Sequence, residues 1–451
     1  MSDIGARPAE ADAFGKVEAH GIEAIPAADR HGRPRELAFL WAGAFVNYAS
    51  LFTASLLTTY YGLGVWDGLV ATALGTVAAA VILGLLSNTG PRSGLPQIAF
   101  TRSIFGLRGS YVGAALTLFL AIGWFAVDCV IAAQAGAQLF GGGNSAATFG
   151  LVLFIAAISV AVAIFGHQTI KVLETYGAVT FALLSAALFV FLAPQFHWTQ
   201  GPAASGSDYA GAFVLGFMTC FALVASWYPF ASDYSRYLPA ASPTRAVTLW
   251  PVAGIAIPMV LLGLFGLLLP TIDAGLAQNQ GVLAVITAHA PPWIAIPFFV
   301  FIIVGEIWAN YLDVYTAGLS GLALNLRMQR WTAALLLGCV GGVLAYFAMF
   351  ISNFKEQYTN FLLITYLWVP SWAAVVLVDQ FILRRHQPAP GLVSWRAVAA
   401  WLVGVVVAVP FVDSTLWQSP LAVNLLHNTD ISGYVGALVG GGVYLMLGRR
   451  A

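Results

Sequence analysis

The run Leu223-Val224-Ala225-Ser226-Trp227-Tyr228-Pro229-Phe230-Ala231-Ser232-Asp233-Tyr234-Ser235-Arg236 decides how this chain folds. It closes an apolar segment with an internal proline and then a charged pair. Pro229 has no N–H and its ring clashes with the preceding turn, so a helix through it should kink or open near Ser226 to Tyr228. Open backbone at membrane depth is tolerated only where it lines a cavity. Interrupted helices of this kind form substrate and ion sites in many transporters; a plain proline kink is the simpler alternative. Asp233 and Arg236, just beyond, read as anchors of the helix end rather than as ligands.

The rest of the chain supports a membrane setting. Of 451 residues, 60% are hydrophobic and 8% charged, against about 25% charged in soluble domains. Runs of about 20 apolar residues, the length a bilayer requires, fall at 37–61, 66–87, 110–138, 148–166, 175–193, 211–231, 249–270, 295–323, 333–351, 360–380, 396–412 and 431–448. That predicts an all-α polytopic protein with twelve spans.

The cations test this count. Of the 19 lysines and arginines, Arg7, Lys16, Arg30, Arg33, Arg35, Arg92, Arg102, Arg108, Lys171, Arg236, Arg245, Arg327, Arg330, Arg384, Arg385, Arg396, Arg449 and Arg450 all fall on one side. Lys355 stands alone on the other. The positive-inside rule then places both termini in the cytoplasm, and the cell membrane is the expected location. Residues 1–36 are polar, lack the apolar core of a secretory signal, and read as a flexible cytosolic tail.

Several chemistries are excluded. No Gly-rich loop ending in Lys-Ser/Thr is present to cradle ATP, so uphill movement of a solute requires an ion gradient. No basic patch with interleaved aromatics suggests nucleic acid. Neither a His-Glu-x-x-His metal motif nor a Gly-x-Ser-x-Gly nucleophile elbow occurs, which leaves little room for a membrane-embedded enzyme, and no charged ring or repeated pore loop suggests a channel. Cys129, Cys220 and Cys339 are odd in number and widely spaced, which argues against disulfides or a metal site; they read as small buried side chains.

Three carboxylates, Asp128, Glu306 and Asp313, lie deep inside apolar spans. Ionisable groups at that depth are costly and mark solute or proton paths. Trp124 and Asp128 are four residues apart and share a helix face, where an indole can stack a flat ring and a carboxylate can accept its N–H groups; packing and inter-span pairing are the alternative. Glu306, Asn310 and Asp313 follow i, i+4, i+7 and form one stripe that must face the protein interior, as a binding surface or as a structural network. The first span offers Asn47, Ser50, Thr53 and Ser55 at its middle, with no Pro or internal Gly there to announce a break.

These residues resemble the nucleobase–cation symporters of the NCS1 type, in their purine–cytosine permease branch. The likeness is carried by Gly21 to Pro26 with Asp29-Arg30, Trp41 and Asn47. It continues in Gly94-Leu95-Pro96-Gln97 with Arg102, Phe105-Gly106 and Gly109-Ser110, and in Ser226-Trp227 with Ser232 to Tyr237. The resemblance implies a five-plus-five inverted repeat, the LeuT-like fold of sodium-coupled amino-acid transporters. Residues 37–193 and 211–380 would form the two repeats, 396–448 two additional spans, and spans one and six would be discontinuous. It also implies a flat heterocycle held between Trp124 and Trp227. Asp128 and Asp313 would take the polar positions, with Ser226 and Asn310 beside them and a contact from span one near Ser50 or Thr53.

Two departures from that family bear on chemistry. Relatives commonly carry Asn or Gln where this chain has Asp128 and Asp313. A carboxylate only accepts, whereas an amide also donates, so the site should favour N–H-rich edges or cationic rings over uracil or hydantoin. Two acids in one low-dielectric site can also share a proton. Sodium-coupled members carry adjacent hydroxyl residues on span eight where this chain has Ile307 and Trp308. That favours the proton over sodium as coupling ion, with Glu306, Asp313 and Asp128 as carriers and no other cofactor or metal. The expected function is import of a nucleobase or related N-heterocycle by symport, through alternating access in a monomer. A vitamin or vitamin precursor (aminopyrimidine, thiamine-like or pyridoxine-like) is the alternative cargo.

Overall fold

The computed structural model describes residues 21–140, 145–162, 167–326, 330–351, 353–384, 391–414, 416–426 and 428–449. Arg7, Lys16, Arg327, Arg385 and Arg450 of the orientation argument lie outside the described residues, as do the side chains of Lys171, Arg330 and Arg449. Apolar runs become helices because hydrocarbon offers no partner to an open N–H or C=O. The long helices are α1 (Glu36–Phe45), α2 (Tyr48–Thr59), α3 (Val65–Ser87), α4 (Ser110–Leu139), α5 (Ser145–Val162), α6 (His167–Leu192) and α7 (Gly206–Ala225). They continue as α8 (Thr244–Ile272), α9 (Pro292–Ala323), α10 (Arg330–Phe350), α11 (Phe354–Leu377), α12 (Trp395–Ala408) and α13 (Ser432–Arg449).

Among the described residues, seven helices are long and apolar enough to cross a membrane, and eight if the bent pair α1–α2 counts as one span. Four shorter apolar helices lie within α5, α10, α12 and α13. Each apolar run of the sequence falls on one of these helices or on the bent pair. The ends differ by a few residues: α6 begins at His167 rather than 175, and α11 at Phe354 rather than 360.

α1 and α2 meet at 56°. Neither proline nor glycine causes the bend. Val46 leaves the helical region, Asn47 is extended at φ −138° and ψ 173°, and the Asn47 side chain accepts from the Ser50 N–H at 3.1 Å to start α2 afresh. Its amide nitrogen donates back to the Ala44 carbonyl at 3.0 Å. One residue therefore satisfies orphan groups at both helix ends, the service an N-cap asparagine performs. In the sixth span α7 stops at Ala225, Ser226 and Trp227 form a turn, Tyr228–Phe230 continue as a 3-10 turn, and a short helix runs Ala231–Ser235. Regular α-helix gives way to turns around Pro229, while Asp208–Ser235 as a whole still runs as one candidate span without a sharp bend.

Helix packing forms two groups. In one, α3 lies along α7 and α8, and α8 also lies along α1 and α2; in the other, α4 lies along α9, α5 and α10. α6 touches both, while α11, α12 and α13 pack together at one flank. Contact within the first group is backbone-close. A Cβ on Gly254 would run into the Ala38 carbonyl and one on Gly266 into that of Leu51. Small residues permit this approach in membranes, where dispersion and geometry rather than hydrophobic exclusion drive association.

Two expectations are corrected. The segment expected to be a flexible tail is fixed from Gly21 onward: Ile25 is buried and its N–H bonds the Gly94 carbonyl at 3.0 Å. Arg30 bonds the Ile25 and Pro91 carbonyls at 2.9 and 2.8 Å, and Arg236 donates to the Gly21 carbonyl at 2.7 Å. Burying an apolar side chain and pairing main-chain groups hold this strip despite its polar composition. Cys129 and Cys220 are buried, but Cys339 is exposed, beside an apolar groove between α5 and α10 lined by Leu153, Val160 and Val343. A thiol behaves there as a small apolar group among apolar neighbours.

Candidate functional site

The two helix groups meet at Trp124. Its indole N–H, on α4, donates to the Ser226 hydroxyl at 3.2 Å, at the interruption after α7. Ser226 in turn donates to the Leu223 carbonyl at 2.7 Å, so its oxygen is held in place for the indole. Both tryptophans are almost fully enclosed, Trp124 at 4% and Trp227 at 5% exposure. Trp124 lies edge-on to Phe361 and Tyr358 of α11, with ring centroids 5.4 and 6.2 Å apart. Trp227 sits against Trp41 and Phe45 of α1, at 5.9 and 6.1 Å. The sequence pair thus lands on facing helix groups, one indole backed by α11 and the other by α1.

The acids gather beside this point. Glu306, Asp313 and Asp128 are all buried, at 0, 1 and 3% exposure. Asp128 lies within hydrogen-bonding reach of both Glu306 and Asp313. Yet neither oxygen of Glu306, nor Oδ1 of Asp313, meets a donor of normal geometry. The main-chain N–H of Tyr48, at the start of α2, faces Glu306 without closing a full bond. Carboxylates only accept, so a carboxyl–carboxyl contact closes as a hydrogen bond only when one of the two carries a proton. Three acids from two helices thus come together facing the start of a third.

The other expected residues divide. Thr53 bonds the Tyr358 hydroxyl at 2.6 Å and the Ala49 carbonyl at 2.7 Å, which puts it beside Trp124 through Tyr358. The Ser50 hydroxyl is turned into the α1–α2 bend, where it donates toward the Phe45 carbonyl at 2.7 Å and lies 3.2 Å from Asn47 Oδ1. Asn310 points its amide nitrogen at Ser159 of α5 and Cys129 of α4, at 3.2 and 3.4 Å, while its Oδ1 has no donor. It braces the scaffold behind the acids. Asp233 accepts from the Gln97 N–H at 2.8 Å and from Thr316 of α9 at 3.1 Å. Arg236 donates to the Tyr315 hydroxyl at 3.1 Å. These two charges anchor the helix end, as the sequence suggested.

Tyr48 and Tyr358 were not singled out from sequence. A tyrosine within an apolar span is commonplace, and only its neighbours distinguish it. Above them lies a cavity of about 470 Å³, lined by Gln134, Gln138, Asn279, Gln280 and Lys355, with Tyr48, Phe52 and Phe354 at its aromatic side. Lys355 donates to the Gln278 carbonyl at 2.8 Å at its rim.

Residues 24–436 match the family model described as a permease for cytosine/purines, uracil, thiamine, allantoin. The Bacillus subtilis protein YxlA, which carries the name of a purine-cytosine permease, is 28% identical over 457 residues, covering 96% of each chain. The vitamin B6 transporter TPN1 of Saccharomyces cerevisiae is 21% identical over 392 residues, 83% of this chain and 67% of that one. Among solved structures, Mhp1, a nucleobase-cation-symport-1 family transporter in a closed conformation with bromovinylhydantoin bound, superposes with a TM-score of 0.76. That match has 16% identity over 95% of this chain and 94% of the other. The fold is the LeuT-like one of a multi-pass membrane protein, and the chain is a transporter, not an enzyme. With the family model spanning nearly all of its helices, this chain belongs to the nucleobase–cation symporters of the NCS1 type, in their purine–cytosine permease branch.

Proposed function

We propose that this protein imports a nucleobase or a related planar N-heterocycle by symport with a cation, the proton, through alternating access in the cell membrane. In this reading the chain crosses twelve times, with both termini cytosolic and an inverted five-plus-five repeat. Spans one and six are discontinuous, and the ring lies between Trp124 and Trp227. The observation that carries it is the Trp124–Ser226 hydrogen bond, which joins the two helix groups at the break in the sixth span, next to Asp128 and Asp313. Each stacked face contributes about 1–3 kcal/mol for a base, and the acids accept the ring's N–H groups.

Proton coupling is supported by the acid cluster, since Glu306, Asp313 and Asp128 are ionisable groups within reach of one another. Ile307 brings no oxygen, and Trp308 packs its ring against Phe301 and Gly177, so neither side chain adds to a sodium cage. A vitamin-type ring is the second reading. The paired acids favour it, because they suit an aminopyrimidine or a cationic pyridine as well as a nucleobase, and the relative TPN1 is named for vitamin B6.

The test is uptake into liposomes carrying the purified protein, with labelled cytosine, adenine, guanine and pyridoxine in turn. Accumulation that needs an inward proton gradient and ignores sodium supports the reading. Accumulation driven by sodium alone overturns the proton, and flux indifferent to either gradient overturns symport.

A further inference from the structure

Three buried carboxylate oxygens lie where α4, α9 and the start of α2 meet, and none has a donor among the described residues: both oxygens of Glu306 and Oδ1 of Asp313. An unpaired buried acceptor carries its full desolvation cost, and a proton on one carboxyl turns it into the donor that the others lack. Glu306 differs from the other two acids in position. Asp128 shares its helix face with Trp124, and Asp313 touches Asp128 from the other side. Glu306 instead reaches back to Tyr48, where α2 begins again after the bend.

The titratable groups around Glu306 are Asp128 and Cys129 from α4, Tyr48 from α2, Tyr358 from α11 and Asp313 from its own helix. Among the described residues, no lysine or arginine is one of them. Tyr48 also lines the cavity of about 470 Å³ that Lys355 borders, so that cavity lies one residue away from Glu306.

We propose that Glu306 takes up the coupling proton and, by donating it in a hydrogen bond to Asp128, frees Asp128 and Asp313 to accept the ring's N–H groups. This rests on the proposed function above. With the proton in place, the Glu306 O–H fills one lone pair of Asp128 and the remaining acceptor oxygens face the ring. Without it, Glu306 and Asp128 are two bare acceptors facing each other with no donor between them, and their mutual repulsion disfavours the arrangement that accepts the ring's N–H groups. Ring binding and protonation of Glu306 therefore favour each other, and the linkage is reciprocal. The proton enters from water beyond Tyr48 and leaves to water on the opposite side after the ring departs. No bond other than O–H is made or broken.

The experiment measures ring affinity against pH for the full-length protein in detergent, using the best ligand among cytosine, adenine, guanine and pyridoxine, for wild type and Glu306→Gln. One linked proton makes the wild-type Kd rise about tenfold per pH unit on the alkaline limb. The amide of Glu306→Gln donates permanently to Asp128, so its Kd should not vary with pH, and accumulation driven by a proton gradient should be lost. A wild-type slope retained in Glu306→Gln overturns the assignment while leaving the ring site intact. In parallel, proton uptake on ring binding is read in weakly buffered wild-type protein, which needs no variant to fold. About one proton per ring is expected, and none at any pH overturns the proposal. If wild type binds no ring of the panel, the functional reading itself fails, and this inference with it.

Discussion

Replacing Trp124 by alanine removes one stacking face, and the structure sets the size of the loss. A base on an aromatic ring contributes about 1–3 kcal/mol, so at about 1.4 kcal/mol per decade the ring should bind about 5- to 150-fold more weakly. The same substitution strips Phe361 and Tyr358 of their edge-on partner and costs about 3–5 kcal/mol of stability, the range for a buried tryptophan. Affinity and stability must therefore be separated. Trp401 supplies the control: it is equally buried, donates to the Trp368 carbonyl at 3.2 Å and packs on Phe105 at 5.7 Å, on the α12 flank. Trp401→Ala should lower the unfolding temperature by a similar amount while leaving ring affinity unchanged. Titration calorimetry on both variants, with a thermal melt of each, reads the two quantities independently. Wild-type affinity in Trp124→Ala and again in Trp227→Ala refutes the sandwich.

Asp128→Asn and Asp313→Asn should shift preference toward rings with acceptor-rich edges, so uracil competes better against cytosine in binding assays than it does for wild type. Asn47→Ala removes the cap of α2 and the bond back to Ala44, and should cost about 1 kcal/mol in a reversible unfolding measurement. Asp430, in the loop before α13, is pushed up to about 6 by burial, although Ser432 and the Asp413 N–H donate to it. A raised carboxyl favours the protonated native state, so its stabilising effect is complete below the ordinary value near pH 4 and is lost as pH rises through about 6. Melting curves of Asp430→Asn should lack the decline that wild type shows over that interval.

Much of the architecture was legible because lipid imposes a simple rule: apolar runs of sufficient length become helices. Pro229 marked the local change from α-helix to turns at Ser226 to Phe230, and the spacing of Glu306 and Asp313 announced a buried face. The bend between α1 and α2 carried no such flag. Its signal was the pair Asn47 and Ser50, an N-cap pattern inside an apolar run, easily read as four polar groups along one helix. For the same reason Ser50 reads as a ligand-facing hydroxyl, while the fold turns it into the bend. Asn310 shares its stripe with the acids, but its amide turns toward Ser159, a direction that helical spacing alone does not fix. Tyr358 escaped notice because its role depends on Trp124, Thr53 and Phe354, which come from three different helices.

The strip from Gly21 to His31 is fastened by hydrogen bonds to carbonyls: Ile25 and His31 donate their main-chain N–H to Gly94 and Tyr237, and the Arg30 and Arg236 guanidiniums hold Ile25, Pro91 and Gly21. Fastenings of that sort can be exchanged for water at modest net cost. The edge of the molecule they close is therefore a clasp rather than a weld, and unfastening it uncovers little apolar surface, Ile25 and Ile22 being its greasy buttons. Mild urea, which solvates peptide groups, should loosen this clasp well before it touches the bilayer-embedded helices.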